Sequence, residues 1–272
     1  MKLLVEKVVL EFIKKKNILV TVCIPVFNGE RYLRECLTSI SNQTLKNFIC
    51  IVVDNLSTDN TKKICMEYDD ERFFYVCNEE NIGALRNHNR CIENGFKTEF
   101  LKIFSADDVL LPETLNSQLA MALEHPSAGI IGCNLIETDF SLVQIGEVKY
   151  LPGKMDGLAA IDECVKKMRN YIGAPSNTLL RTAIIDHHRF NPDLHWLGDL
   201  DFHCKLLKNS DFVNIDKVGF YYRRHAQSDS ITGCPQHIRK SDERIFLKEY
   251  AKNFLPFFRV AIRNLKNKIL PK

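Results

Sequence analysis

Two adjacent carboxylates, Asp107 and Asp108, follow the strand-like run Glu99–Phe104 and precede Val109-Leu110-Leu111-Pro112-Glu113, which reads as the opening of a helix. Side-by-side carboxylates at the tip of a buried strand repel each other and lose hydration unless a cation lies between them. A hard divalent ion takes oxygen ligands from one or two such groups and shares the rest with phosphates. A turn with a helix N-cap is the plainer alternative, because Asp caps helices well. Further chemistry-bearing groups follow other strand-like runs: Pro25, Phe27 and Asn28 after the first, Asp54 and Asn55 after the second, Asn81 and Gly83 after the third. Well-separated carboxylates with amides between them suit a nucleotide, with amides and carboxylates for base and ribose and a cation for diphosphate. No G-x-G-x-x-G follows the first strand and no G-x-x-x-x-G-K-[ST] occurs, which counts against a dinucleotide fold and a P-loop.

The elements that must position these groups are legible from hydrophobic pattern. Ile18–Pro25 and Asn47–Asp54 are β-branched apolar runs that predict buried parallel strands. Phe73–Cys77 predicts a third strand and Glu99–Phe104 a fourth. Helices are expected from Glu30, with Leu33, Leu37 and Ile40 on one face, after Asp59, over residues 84–93 and near 113–124. Repeated strand–helix units predict an α/β fold with a mostly parallel central sheet and helices on both faces. In such a sheet, ligands bind at the carboxyl ends of the strands. A further strand is expected over 128–134, and the second half is less regular.

The chain has 272 residues, 45% hydrophobic and 26% charged, which suits one large domain with an appendage. Residues 237–272 carry 10 Lys and Arg against 3 Asp and Glu, a net of +7, leaving −4 on the rest of the +3 chain. The expected division is a domain over 1–235, with halves at 18–110 and 111–235, and a basic amphipathic helical tail over 236–272. Phe246, Tyr250, Phe254, Phe257 and Phe258 interleave there with Lys248, Lys252, Arg259 and Arg263, and Pro256 should bend the tail. Two readings stand for it, an aromatic face packed on the body or a peripheral helix on an anionic membrane. No apolar run reaches the length of a membrane span. The N-terminus does not read as a signal peptide, and residues 1–16 read as an amphipathic surface helix with Leu4, Val8 and Phe12 in phase. Ten cysteines without a C-x-x-C pair predict small core residues in a reduced, cytoplasmic chain.

Val22–Asn28, Val52–Asp59, Asn81-Ile82-Gly83 with Asn89-Arg90, and Ser105–Asp108 resemble, in order and spacing, the family 2 glycosyltransferases. Gly198-Asp199-Leu200-Asp201 resembles that family's acidic acceptor motif, and Tyr222-Arg223-Arg224-His225 with Ser228 and Ser230 its closing basic motif; the match spans roughly residues 18–231. The resemblance implies a GT-A fold with a C-terminal helical extension, and inverting sugar transfer from a nucleoside diphosphate sugar, with UDP the expected nucleotide, to a saccharide or lipid-linked acceptor in cell-surface polysaccharide synthesis. It implies donor contacts from Pro25, Phe27, Asn28, Asp54, Asn55, Asn81, Gly83, Asn89, Asp107 and Arg224. It implies Mn²⁺ or Mg²⁺ at Asp107, Asp108 and His225, Asp199 as catalytic base, and no nucleic-acid partner. Asn55 replaces an Asp of many members, and Ser105 another, which leaves open which of Asp107 and Asp108 ligates the metal. Asp201 is expected to be structural or to contact acceptor. His187, His188 and His203 are expected to be solvated, and Trp196 to pack in the core or stack on an acceptor sugar. Rival readings are a nucleotidyltransferase and a non-catalytic nucleotide-sugar-binding protein.

Overall fold

The computed structural model describes residues 2–95, 97–226 and 234–250. Ser228, Ser230 and the expected tail residues Lys252, Phe254, Pro256, Phe257, Phe258, Arg259 and Arg263 lie outside the described residues. Parallel strands β1 (Val20–Val26), β2 (Phe48–Asp54), β3 (Phe73–Cys77) and β4 (Phe100–Ile103) form one half of the sheet in the order β3-β2-β1-β4. The other half is mixed. Its long strands, β6 (Ala128–Thr138) and β10 (Asp211–Arg223), run parallel to each other. The short strands β5 (Val109–Leu110), β7 (Gln144–Val148), β8 (Gly153–Met155) and β9 (Leu179–Arg181) all pair antiparallel. β9 wedges between β4 and β6, so the carboxyl ends of β1 to β4, β6 and β10 face one edge of the sheet.

Helices α1 (Lys2–Lys16), α4 (Ala84–Gly95), α6 (Gly157–Lys167), α7 (Gly198–Leu207) and α8 (Gln236–Tyr250) share one face of the sheet. Helices α2 (Leu33–Ser41), α3 (Thr61–Met66) and α5 (Thr114–Glu124) share the other. The alternation within β1 decides this, because Val20, Val22, Ile24 and Val26 face α2 while Cys23 faces α4. The amphipathic face of α1 is set one residue from expectation: Val9 and Ile13 are buried, Phe12 meets Phe74 edge-on, and Val8 is exposed. The ten cysteines are free and most are buried, although Cys77 is exposed.

Two local expectations fail. Val109-Leu110 opens no helix. It forms β5, pairing Leu110 with Phe220 and Val109 with Tyr221, and α5 starts five residues after Val109 at Thr114. Gln43 fixes this break: its amide donates to Leu111 O at 2.8 Å and its carbonyl accepts from Leu115 N at 3.1 Å. His203 is not solvated. It is fully buried, its Nε2 lies 3.4 Å from Thr178 Oγ1, and burial lowers its pKa to about 4. His187 and His188 do lie near the surface, next to Asp186 and Arg189. In α8, Phe246 and Tyr250 pack on the body, and Tyr250 donates its hydroxyl to Asp201 Oδ1 at 2.9 Å. Those two aromatics are therefore not available to a membrane.

Four amides lock the loop after β3. Asn78 donates to Asn55 Oδ1 and Asn87 Oδ1 at 3.0 and 2.9 Å, Asn55 donates to Asn81 Oδ1 at 2.8 Å, and Asn87 donates to Val53 O at 2.9 Å. Asn87→Ala strands the Val53 carbonyl and an Asn78 donor in a buried place, at roughly 1–3 kcal/mol for each group left without a partner. A drop in the urea midpoint of that size, with an unchanged slope, is expected for Asn87→Ala; a change under about 0.5 kcal/mol would show the ladder to be energetically idle.

Candidate active site

The antiparallel pairing of β5 with β10 aligns two distant parts of the sequence. Continuing its register by two residues sets Arg223 opposite Asp107. The Arg223 amide donates to Asp108 Oδ1 at 3.1 Å and its Nε to Asp107 O at 2.8 Å. Its Nη1 donates to Phe140 O at 2.7 Å, its Nη2 pairs with Glu35, and its guanidinium lies 4.5 Å from the centre of the Tyr32 ring. The side chain is almost wholly buried. His225 lies two residues on. Its Nε2 is 2.9 Å from Asp107 Oδ2, and its ring packs on the other neighbour of Arg223, Tyr32, at 4.8 Å between centroids.

Asp107 and Asp108 differ in environment. Asp107 is partly exposed beside His225, whereas Asp108 is buried and its Oδ2 has no hydrogen-bond partner. Burial first, and the neighbouring Asp107 charge second, push the Asp108 carboxyl well above the usual carboxylate range. A divalent cation fits this arrangement chemically: Asp107 offers a hard oxygen, His225 a nitrogen, and the orphaned Asp108 oxygen marks a place short of positive charge. Among the described residues no group of three or more His, Cys, Asp or Glu side chains is already arranged to hold a metal ion. Below the pair, fully buried Lys102 donates to Ser176 O and Gln118 Oε1 at 2.8 and 3.1 Å, and burial lowers its pKa to about 8.

Asp199 stands in the first turn of α7 and is half-buried. Its Oδ2 accepts from Asn170 Nδ2 at 3.1 Å and its Oδ1 from Leu200 N at 2.7 Å. Burial pushes its pKa up to about 6 against those hydrogen bonds. Asn170 also donates to Gly173 O and accepts from Gly173 N, which turns the chain back toward Ser176. Ser176 Oγ then accepts from Ser105 N at 3.1 Å. One loop, 170–178, thus holds both Asp199 and the turn that carries Asp107 and Asp108. Asp201 faces away from it, bound to Lys205 at 2.6 Å and to Tyr250, and is structural.

The other expected donor residues are placed less uniformly. Phe27 is exposed and Pro25 half-buried at the end of β1. Asp54 is buried and spends its oxygens on Ser57 N, Ser57 Oγ and Tyr75 OH at 2.9, 2.6 and 2.6 Å. Asn28, in the left-handed region at φ 53°, accepts from Thr58 N at 2.8 Å and clamps the two neighbouring loops. Asn55 and Asn81 belong to the amide ladder, with Gly83 N donating to Asn81 Oδ1 at 3.0 Å. Asn89 exchanges two hydrogen bonds with the Phe190 backbone, far along the chain, and Arg224 pairs with Glu137 at 3.2 Å. Tyr32, Glu35, Asn170 and Ser176 were not legible as site residues. They act through packing and loop geometry, and no local pattern announces them.

Breaking a buried charge pair typically costs about 3–5 kcal/mol, and a half-exposed partner much less. Arg223→Met should therefore lower stability by roughly that amount, with Arg223→Lys giving little rescue because one ammonium cannot replace the forked contacts. Glu35→Gln should cost under about 1 kcal/mol, since that side chain is half exposed. Equal urea midpoints for the Arg223→Met and Glu35→Gln proteins would contradict this assignment.

Residues 21–146 match the model of glycosyl transferase family 2. An uncharacterized protein of Mycobacterium tuberculosis is 30% identical over 202 residues, 71% of this chain and 63% of that one. The GalNAc(5)-diNAcBac-PP-undecaprenol beta-1,3-glucosyltransferase of Campylobacter jejuni is 29% identical over 218 residues, 78% of this chain and 66% of that one. The chain thus spans less than two thirds of the length of these relatives. The crystal structure of S. aureus TarS 1-349 in complex with UDP-GlcNAc superposes with a TM-score of 0.68 at 19% identity, covering 85% of this chain and 67% of that one. With this sheet order and these helices on both faces, the chain has a GT-A fold, and its residues 21–146 are similar to the family 2 glycosyltransferases.

Proposed function

We propose that the chain transfers a sugar from a nucleoside diphosphate sugar to an acceptor hydroxyl with inversion at the anomeric carbon. The observation that carries this reading is the loop 170–178, which seats a half-buried carboxylate, Asp199, and the Asp107–Asp108 turn on one support. UDP is the favoured nucleotide, supported by the UDP-GlcNAc complex of TarS. The acceptor is a saccharide or a lipid-linked saccharide of cell-surface polysaccharide synthesis, supported by the undecaprenol-linked saccharide for which the Campylobacter relative is named. Such work belongs on the cytoplasmic side of a membrane, and no described helix is long and apolar enough to cross one.

Asp107 and His225 would hold a Mn²⁺ or Mg²⁺ ion, whose contribution is Lewis-acid stabilisation of the departing diphosphate. Asp108, its Oδ1 held by the Arg223 amide, orients the turn. Arg223 keeps Asp107 and His225 in register, and Arg224 at the rim adds positive charge where the leaving group develops negative charge. Phe27 with Pro25 covers the base; Asp54, Asn28, Asn55, Asn81, Gly83 and Asn89 shape the walls of that pocket through their mutual hydrogen bonds. Asp199 accepts the proton of the attacking hydroxyl on the face of the sugar opposite the leaving group, as inversion requires.

The pH dependence follows from Asp199. With its pKa near 6, the base is ionised above that pH, so kcat should fall on the acid side through pH 6. Stability has the opposite sign: between the ordinary carboxylate value and about 6 the folded chain binds more protons than the unfolded one, so this group's contribution weakens as pH rises through that window. Asp199→Asn should cut kcat by about 10²–10⁴-fold with donor KM near unchanged. It should also abolish the acid limb, and Asp201→Asn should be milder. An active Asp199→Asn enzyme beside a dead Asp201→Asn enzyme exchanges the roles. EDTA should remove both transfer and tight UDP binding; full activity in EDTA overturns the metal assignment. Release of pyrophosphate in place of nucleoside diphosphate would instead identify a nucleotidyltransferase.

A further inference from the structure

The helix α8 lies beyond the residues matched by the family model, yet it holds the two residues that lead into α7. Asp242, buried to 1% exposure, accepts from Trp196 N at 2.6 Å and from Leu197 N at 3.2 Å. Those two donors sit immediately before α7, whose first turn carries Asp199. One turn earlier on α8, Arg239 lays its guanidinium 4.1 Å from the centre of the Trp196 ring, and its Nε is fixed by Cys234 O at 2.9 Å. Among the described residues no carboxylate forms an ion pair with Arg239. Trp196 is 40% exposed even though its backbone is held by a buried charge. A large apolar ring would ordinarily be covered; here it is rigid, partly open and backed by a cation.

We propose that Trp196 and Arg239 form an acceptor-side subsite for an anionic sugar, a hexose ring bearing a phosphate or a carboxylate. The indole offers a flat apolar face for the C–H face of a pyranose. The guanidinium stacked over its other face, with Nε already bonded to Cys234 O, keeps its two Nη groups for a phosphate or carboxylate carried past the ring edge. Asp242 is the positioning residue that couples this platform to the start of α7. The place of the subsite in a reaction rests on Asp199 acting as the base; its ligand chemistry does not.

Trp196 is the one tryptophan in the chain, so tryptophan emission reports on this position alone. The full chain, saturated with UDP and Mg²⁺, is titrated with glucose 1-phosphate, glucuronic acid and neutral methyl glucoside while that emission is followed. Saturable changes are expected with an anionic sugar, with a dissociation constant of order 1 mM. Methyl glucoside should bind at least about tenfold more weakly, the loss of one charge-assisted contact. The stronger of the two anionic ligands identifies the acceptor group as phosphate or carboxylate. Arg239→Gln should weaken the anionic ligands at least about tenfold and leave methyl glucoside unchanged. Arg239→Lys should fall between, and both variants should keep the parent melting temperature. Absence of a saturable change up to tens of millimolar, or equal binding of neutral and anionic sugars, overturns the subsite. Calorimetry of UDP on the same sample separates the two readings: UDP binding without an emission change removes the subsite and leaves the proposed transferase standing, and the converse removes the donor reading alone.

Discussion

The guanidinium of Arg223 is the contact on which the site depends. It is a permanent charge in a place where water is excluded, and a charge so placed persists only when every donor finds an acceptor. Its acceptors come from three separate parts of the chain: Glu35 on α2, the Asp107 carbonyl after β4 and the Phe140 carbonyl after β6. Satisfying one side chain therefore brings one helix and two loops of the carboxyl edge into register. Tyr32 completes the enclosure by presenting its ring to both Arg223 and His225.

The remaining edge is held mainly by hydrogen bonds of amides and hydroxyls. The loops after β1 and β2 are joined through Asn28 to Thr58 and through the Glu30 carboxylate to Asn60, and the loop after β3 is tied to them by the amide ladder. Such groups could each satisfy water instead, so their net worth is modest; their value lies in fixing loop geometry. This separates the two sides of the crevice. The wall over β1 to β3 is pre-formed, its one buried carboxylate, Asp54, tied to Ser57 and Tyr75, which suits a base and a ribose. The floor between β4 and β10 concentrates Asp107, Asp108, Arg223 and His225, which suits a diphosphate and its cation.

The parallel half of the fold was legible because its strands are buried on both faces and read as continuous β-branched runs. The acidic turn stood out from its residue types alone, whereas Asp199 and the closing Arg-Arg-His stood out only through their resemblance to family motifs, since an acid in the first turn of a helix is otherwise ordinary. β5 was not, since two residues carry no periodicity, and Val-Leu-Leu before a helix looks like its first turn. That two-residue strand sets Arg223 against Asp107, so the error fell on the element that assembles the site. His203 was misread because a histidine among charged neighbours in sequence looks solvated; helix geometry turns it inward, four residues from Asp199 on the same side of α7. Asn170 and Ser176 could not be found from sequence, because an irregular loop has no repeating pattern and its contacts are settled by the elements around it.

The two carboxylates of α7 illustrate how environment, and not residue type, divides labour. Asp199 and Asp201 are two positions apart and point to different sides of the helix. Asp201 meets an ammonium and a phenol, which leaves it no capacity to take a proton from a substrate. Asp199 meets only an amide side chain and the backbone of its own helix, neutral donors that hold its orientation without supplying a countercharge. Burial then raises its basicity, which a paired cation would have lowered. A carboxylate oriented by neutral donors, half open to solvent and made more basic by burial, has what a proton acceptor at neutral pH needs. The same helix thus uses one acid to dock α8 and leaves the other without a countercharge.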